Sequence, residues 1–130
     1  MNMFYDNVLS ASTRIPDRVY RKSGPFCPRV LIATEVMMRE KVVEQKLIRA
    51  VRRSGGLALK LVSPGLNGVP DRLLLFHGGK MAFAEVKAPG KKPRPLQEAR
   101  IAQLRGLGFR VYVVDDVEQI GGMIDEICSA

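Results

Sequence analysis

Tryptophan is absent from this chain, histidine occurs once and cysteine twice, and aromatic residues make up only 6% of it. Each scarcity removes a class of chemistry. With His77 alone, neither a histidine zinc site nor a histidine general base has material to build on. His77 falls in a turn between two apolar runs, where a solvated side chain is expected. Cys27 and Cys128 lie far apart and offer neither a metal-ligand pair nor a disulfide framework, so free thiols in a reducing cytoplasm are expected. The shortage of aromatics disfavours base stacking as a main binding mode. No apolar run approaches the ~20 residues of a membrane span. The segment Met1–Asp6 lacks a charged region followed by an apolar core, so secretion is not expected.

What the chain does carry is positive charge. Lys and Arg number 21 against 13 Asp and Glu, a net +8 with a pI near 9.9, in 130 residues. Hydrophobic content of 46% and charged content of 26% are those of a folded domain rather than a disordered tail. The length suits one domain with one core. Such an excess of charge points to nucleic acid or an anionic surface as partner. The bland alternative is a basic surface that merely keeps the protein soluble.

Periodicity divides the chain. Residues 1–34 hold Pro16, Gly24, Pro25 and Pro28 among Arg14, Arg18, Arg21, Lys22 and Arg29, and read as an irregular arm with a short helix at most. Residues 35–130 read as a single domain. A helix is expected from Thr34, as N-cap, to Arg53, ended by Gly55-Gly56. Leu57–Ser63 reads as a strand and residues 64–68 as a loop. Two further apolar runs, 69–76 and 80–87, flank His77-Gly78-Gly79, which is a hairpin signal. Residues 88–93 form a loop, and Pro95 starts a helix to about Leu107. Phe109–Val114 is a strand and Val117–Ile127 an amphipathic helix. Leu73 and Leu75 on one face of the hairpin, and Leu74 and Phe76 on the other, call for a central sheet flanked by helices.

Gly78 lies seven residues from both Asp71 and Glu85. With the hairpin centred there, the two acids oppose each other, and opposed residues place their Cβ atoms about 4.5–5.5 Å apart. Lys87, two residues on, shares that sheet face. Adjacent acids repel unless a cation or a shared proton joins them. An oxygen-seeking divalent metal beside a lysine is an arrangement that cleaves phosphodiesters. A decoy copy, Pro16-Asp17 with Glu44-Gln45-Lys46, fails because residues two apart on a helix diverge and no strand follows Asp17. Glu44 has its own interest. Leu47, Ile48 and Val51 follow it at helical spacing, which sets its carboxylate on a core-facing stripe where it needs a partner. That partner is either a shared metal or an arginine, the alternative being a carboxylate that snorkels to water at the stripe's edge; Glu40, one turn earlier, is the substitute candidate. Gln97, in the first turn after Pro95, is placed to orient a water or a phosphate, or is an ordinary surface glutamine. Lys87, Lys91, Lys92, Arg94, Arg100, Arg105 and Arg110 stand against Glu98 alone. Of these, Lys91, Lys92, Arg94 and Arg100 are the expected phosphate contacts.

As a set, Gly68-x-Pro-Asp71, Glu85-Val86-Lys87 and Gln97, with Glu44 on the preceding helix, resemble the virus-type replication-repair nuclease (VRR-NUC) domain, stand-alone phage type. That domain belongs to the PD-(D/E)XK, restriction-endonuclease-like superfamily. The resemblance spans roughly residues 40–115. It implies an α/β fold with an αβββαβ core and a mixed central sheet, to which this chain adds a C-terminal helix and an N-terminal arm. It also implies Mg²⁺- or Mn²⁺-dependent hydrolysis of branched or flapped DNA, including Holliday junctions, by a homodimer. Asp71, Glu85 and the Val86 carbonyl would bind the metal, with Glu44 holding it directly or through water. Lys87 would help deprotonate the attacking water, and Gln97 would assist. No organic cofactor or membrane is implied, and the setting would be cytoplasmic, including the host cytoplasm for a phage-encoded enzyme. The rival readings are a non-catalytic nucleic-acid-binding or assembly module that kept the fold, and a sequence-specific restriction-type nuclease.

Overall fold

The first helix, α1, runs Pro28–Arg53 in the computed structural model, which describes residues 28–130, with side chains from residue 32. It starts six residues before the expected Thr34 cap. Proline at the first helical position costs no hydrogen bond, because that N–H has no intrahelical acceptor, so Pro28 serves as a start rather than a break. The other end is as read from sequence. The N–H groups of Gly55 and Gly56 reach back to the carbonyls of Arg52 and Val51, both at 3.0 Å, which closes the helix.

Residues Ala33–Ala130 form one compact unit. Its strands are β1 (Leu57–Lys60), β2 (Arg72–Phe76), β3 (Lys80–Val86) and β4 (Val111–Val114). Two more helices follow the hairpin, α2 (Pro95–Gly106) and α3 (Gln119–Ser129). The four strands lie in chain order, antiparallel except that β4 runs parallel to β3. A parallel neighbour needs a crossover, and α2 supplies it. β1 is shorter than expected. Leu61 still donates to the Asp71 carbonyl at 2.9 Å, but the chain then turns away at Pro64-Gly65.

The hairpin register is the one the sequence implies. Arg72 pairs with Ala84, Leu74 with Ala82 and Phe76 with Lys80, a ladder centred on Gly78. Gly78 has φ 78°, the left-handed conformation a side chain resists, and this allows the tight reversal.

The core lies on one sheet face. Leu74, Phe76, Ala82, Ala84, Val86 and Val114 pack with Val43, Leu47 and Val51 of α1 and with Ile120, Met123, Ile124 and Ile127 of α3. The apolar stripe of α3 is thus spent on the sheet and offers nothing to a second subunit. The opposite face is covered unevenly. Over β3 and β4, α2 buries Ile101 and Val111, and Phe83 meets Phe109 edge-to-face at 6.0 Å. Beyond α2, Leu57 and Leu59 are exposed and Leu73 and Leu75 only half-buried, because one short helix cannot span four strands. No helix among the described residues is long and apolar enough to cross a membrane.

Candidate active site

The site lies where β2 begins and β3 ends. Asp71 stands one residue before β2, so one further step of the ladder sets it opposite Glu85. Its Oδ2 accepts a hydrogen bond from the Val86 N–H at 3.0 Å, which fixes the acid to the neighbouring strand. Glu85 is wholly buried. Its Oε1 accepts from the Gln97 side-chain amide at 2.7 Å and lies 3.1 Å from the Lys87 ammonium. Its Oε2 is equally buried and has no hydrogen-bond partner among the described residues. A buried carboxylate oxygen left this way is costly, and a carboxylate in a dry pocket prefers to be neutral. Burial, and after it the charge of Asp71, accordingly push Glu85 up from 4.5 to about 6, against the pull of Lys87.

The first helix contributes two acids, and they fare differently. Glu44 lies on the expected stripe with Leu47 and Val51, both fully buried. Its Oε1 is taken by Arg72, whose Nε and Nη2 approach to 3.0 and 2.7 Å. The arginine partner that the sequence left open is therefore present, and it is the residue next to Asp71. Glu40 is also raised, by burial first, while Lys87 lowers it and Asp71 and Glu44 raise it. Glu40 thus lies within electrostatic reach of the paired acids. Among the described residues, no three His, Cys, Asp or Glu side chains come together as a metal cage.

Gln97 is buried, unlike a surface glutamine, and both ends of its amide are engaged. Its oxygen accepts from the Arg94 N–H at 2.9 Å and so caps α2, while its nitrogen holds Glu85. It therefore orients the acid. Lys91, Lys92 and Arg94 are exposed on the loop leaving β3. Arg100 has a structural part that its expected role did not include. Its Nε donates to the Asn67 carbonyl and its Nη1 to Gln103, both at 2.8 Å, so it clamps the loop before Asp71 onto α2. His77 is exposed in its turn, as expected. The decoy acid Asp17 and Cys27 lie outside the described residues.

Sequence reasoning missed the roles of Arg72 and Arg100. An arginine directly after Asp71, with an acid on an apolar helix stripe, was the available signal for the first. Nothing in the spacing signalled the second.

Two facing acids, one with an unsatisfied buried oxygen, and an adjacent lysine suit a hard divalent cation. Magnesium-type ions take one or two carboxylates and keep water for the rest of their shell. The likeness to known proteins agrees with this chemistry. A sequence model of the VRR-NUC domain matches residues 6–117, so the match reaches well into the segment read as lying outside the resemblance. A protein of Acyrthosiphon pisum secondary endosymbiont phage 1, named "Putative nuclease p44", is 49% identical over 79 residues, covering 61% of this chain and 85% of its own. A solved structure described as "VRR_NUC domain" superposes with a TM-score of 0.63 at 31% identity, over 67% of this chain and 95% of its own. The chain belongs to the VRR-NUC domain family and is a nuclease.

Proposed function

We propose that this nuclease is a Mg²⁺- or Mn²⁺-dependent DNA endonuclease that prefers branched substrates, such as flaps and four-way junctions, and works as a homodimer. The observation that carries the metal is Glu85, buried, facing Asp71 and with an Oε2 that has no partner among the described residues. Asp71, Glu85 and the Val86 carbonyl would hold the ion. Glu44, with one oxygen on Arg72, would hold it through its other oxygen or through water. When bound, the metal supplies Lewis-acid polarisation of the phosphate and acidifies the attacking water.

The chain's own groups do the rest. Gln97 locks the Glu85 rotamer, and the Val86 N–H locks Asp71, so neither acid reorganises during the reaction. The Lys87 ammonium, already beside Glu85, lies where it can assist removal of the water proton and stabilise charge developing on the phosphate. Burial of Glu85 strengthens the interactions that it makes.

Lys91, Lys92 and Arg94 hold the substrate backbone beside the cut site; Arg100 joins them only through the donors its loop clamp leaves over. Two cuts in a junction require two related sites, which a two-fold dimer provides. End-labelled linear, flapped, splayed and four-way DNA, incubated with and without Mg²⁺ or Mn²⁺, tests the reading. Metal-dependent nicks near the branch support it. Cutting of linear duplex as fast as the junction, by a protein that light scattering finds monomeric, contradicts the selectivity and the dimer.

A further inference from the structure

Two exposed leucines lie on the segments that lead into Asp71 and Gln97, and neither belongs to the core. Leu66, 41% exposed, lies in the loop that leads into Asp71. Leu96, 51% exposed, directly precedes Gln97, whose amide holds Glu85 at 2.7 Å. On α2 the inward positions are Gln97 and Ile101, so Leu96 points away from the sheet. Leu96 rests partly on Gly68, and the core takes in neither leucine.

The loop that carries Leu66 is held in place. Arg100 clamps the Asn67 carbonyl at 2.8 Å, and the Leu66 N–H closes a turn on the Ser63 carbonyl at 3.3 Å. Gly68, with φ +78°, sits against Leu96 so closely that a Cβ there would lie 2.9 Å from the leucine Cγ. The loop and the start of α2 are thus locked together with an apolar residue exposed on each. A preorganised contact of this kind loses little entropy on binding.

The surroundings narrow the occupant. Lys91, Lys92 and Arg94 lie exposed on the segment that leads into Leu96, and they suit phosphates. Aliphatic side chains beside them suit the other part of a nucleic acid, the face of a base. No aromatic residue lies within residues 61–70 or 87–97, so neither segment offers a ring for base stacking. Leucine and similar residues can instead wedge against an unstacked base step. In continuous duplex, opening the stack costs energy; at a branch, flap or gap that cost has already been met.

We infer that Leu66 and Leu96 form an apolar wedge that packs on an exposed base at a break in the DNA stack, and that this contact gives the site its preference for interrupted over continuous duplex. The inference rests on the proposed DNA cleavage and deepens it, by naming what in the substrate is recognised.

The test uses the full chain in EDTA, with flapped and four-way DNA carrying 2-aminopurine at the branch and a matched linear duplex. Fluorescence reports unstacking and anisotropy reports binding in the same cuvette. The wedge predicts a rise in fluorescence on binding branched DNA. Leu66→Ser with Leu96→Ser abolishes that rise and lowers the branched-over-linear affinity ratio on the order of tenfold. Leu66→Met with Leu96→Met keeps the rise, and thermal melting confirms that both variants fold. Lys91→Ala with Lys92→Ala weakens binding to every DNA but keeps the rise in the bound complex. Binding without any rise, or a rise that survives the serine variant, overturns the wedge while leaving DNA cleavage standing. Serine substitutions that turn a dimer into a monomer would assign the leucines to a subunit contact, which also overturns it. Absence of DNA binding altogether overturns the proposed function and the wedge with it.

Discussion

Replacing Glu85 with glutamine should make the metal-free protein more stable at pH 8, although it removes one acid of the proposed active site. Glu85 is fully buried, and its folded-state pKa is about 6 against an ordinary 4.5. The folded protein therefore binds this proton more tightly than the unfolded chain does. Below pH 4.5 the group is protonated in both states and costs nothing. As pH rises through the interval from 4.5 to about 6, stability falls; above it the loss is complete. That interval corresponds to a loss of about 2 kcal/mol at neutral pH and above. Glutamine keeps an oxygen for the Gln97 amide but loses the Lys87 ion pair, so the net gain should be about 0.5–2 kcal/mol. Urea unfolding in EDTA of wild type and Glu85→Gln, at pH 5 and pH 8, measures it. The advantage of the variant should grow from pH 5 to pH 8. Adding Mn²⁺ at pH 8 should reverse the order, because an ion bound at 100 times its Kd stabilises wild type by about 2.7 kcal/mol. An advantage that does not grow with pH would refute the reasoning.

Three other outcomes follow from the geometry. Calorimetric titration with Mn²⁺ should show that Asp71→Asn loses more affinity than Glu44→Gln, since Glu44 already serves Arg72; equal losses would put Glu44 on the metal directly. The log–log salt dependence of DNA binding, with a slope near −0.9 per phosphate contacted, should flatten when Lys91, Lys92 and Arg94 are all replaced by alanine, on every duplex alike. An unchanged slope would remove that loop from the interface. Leu47→Ala, in the fully buried stripe of α1, should cost about 2–5 kcal/mol in urea unfolding, and a loss below 1 kcal/mol would place α1 outside the cooperative core.

How much of this was legible in the sequence depended on how local the signal was. The turn at Gly78 and the two apolar runs define the hairpin between them, so the opposition of Asp71 and Glu85 follows from residue spacing alone. The same is true of the α2 start at Pro95. The early start of α1 was hidden because Pro28 reads as a breaker unless its place as first helical residue is known. The partner of Glu44 was legible as a choice between metal and arginine, but choosing needed the packing of α1 over β2, a contact between residues 28 apart. Gln97 was legible as a choice between a site residue and a surface glutamine, and helical phase alone does not show that β3 brings a buried acid beside it. Arg100 looked like a phosphate ligand because only the folded loop shows the Asn67 carbonyl within its reach. Leu73 and Leu75 on one face of the hairpin, and Leu74 and Phe76 on the other, suggested a sheet covered on both faces, yet α2 is too short to cover the second face completely.

Cleavage of a flapped or four-way DNA by wild type, Asp71→Ala and Lys87→Ala, each in EDTA and in Mn²⁺, tests the central claim most directly. The account predicts cutting by wild type in Mn²⁺ only, and a loss of at least about a hundredfold in both variants, which should remain folded by circular dichroism. Wild-type activity in EDTA, or full activity in Asp71→Ala, would contradict it.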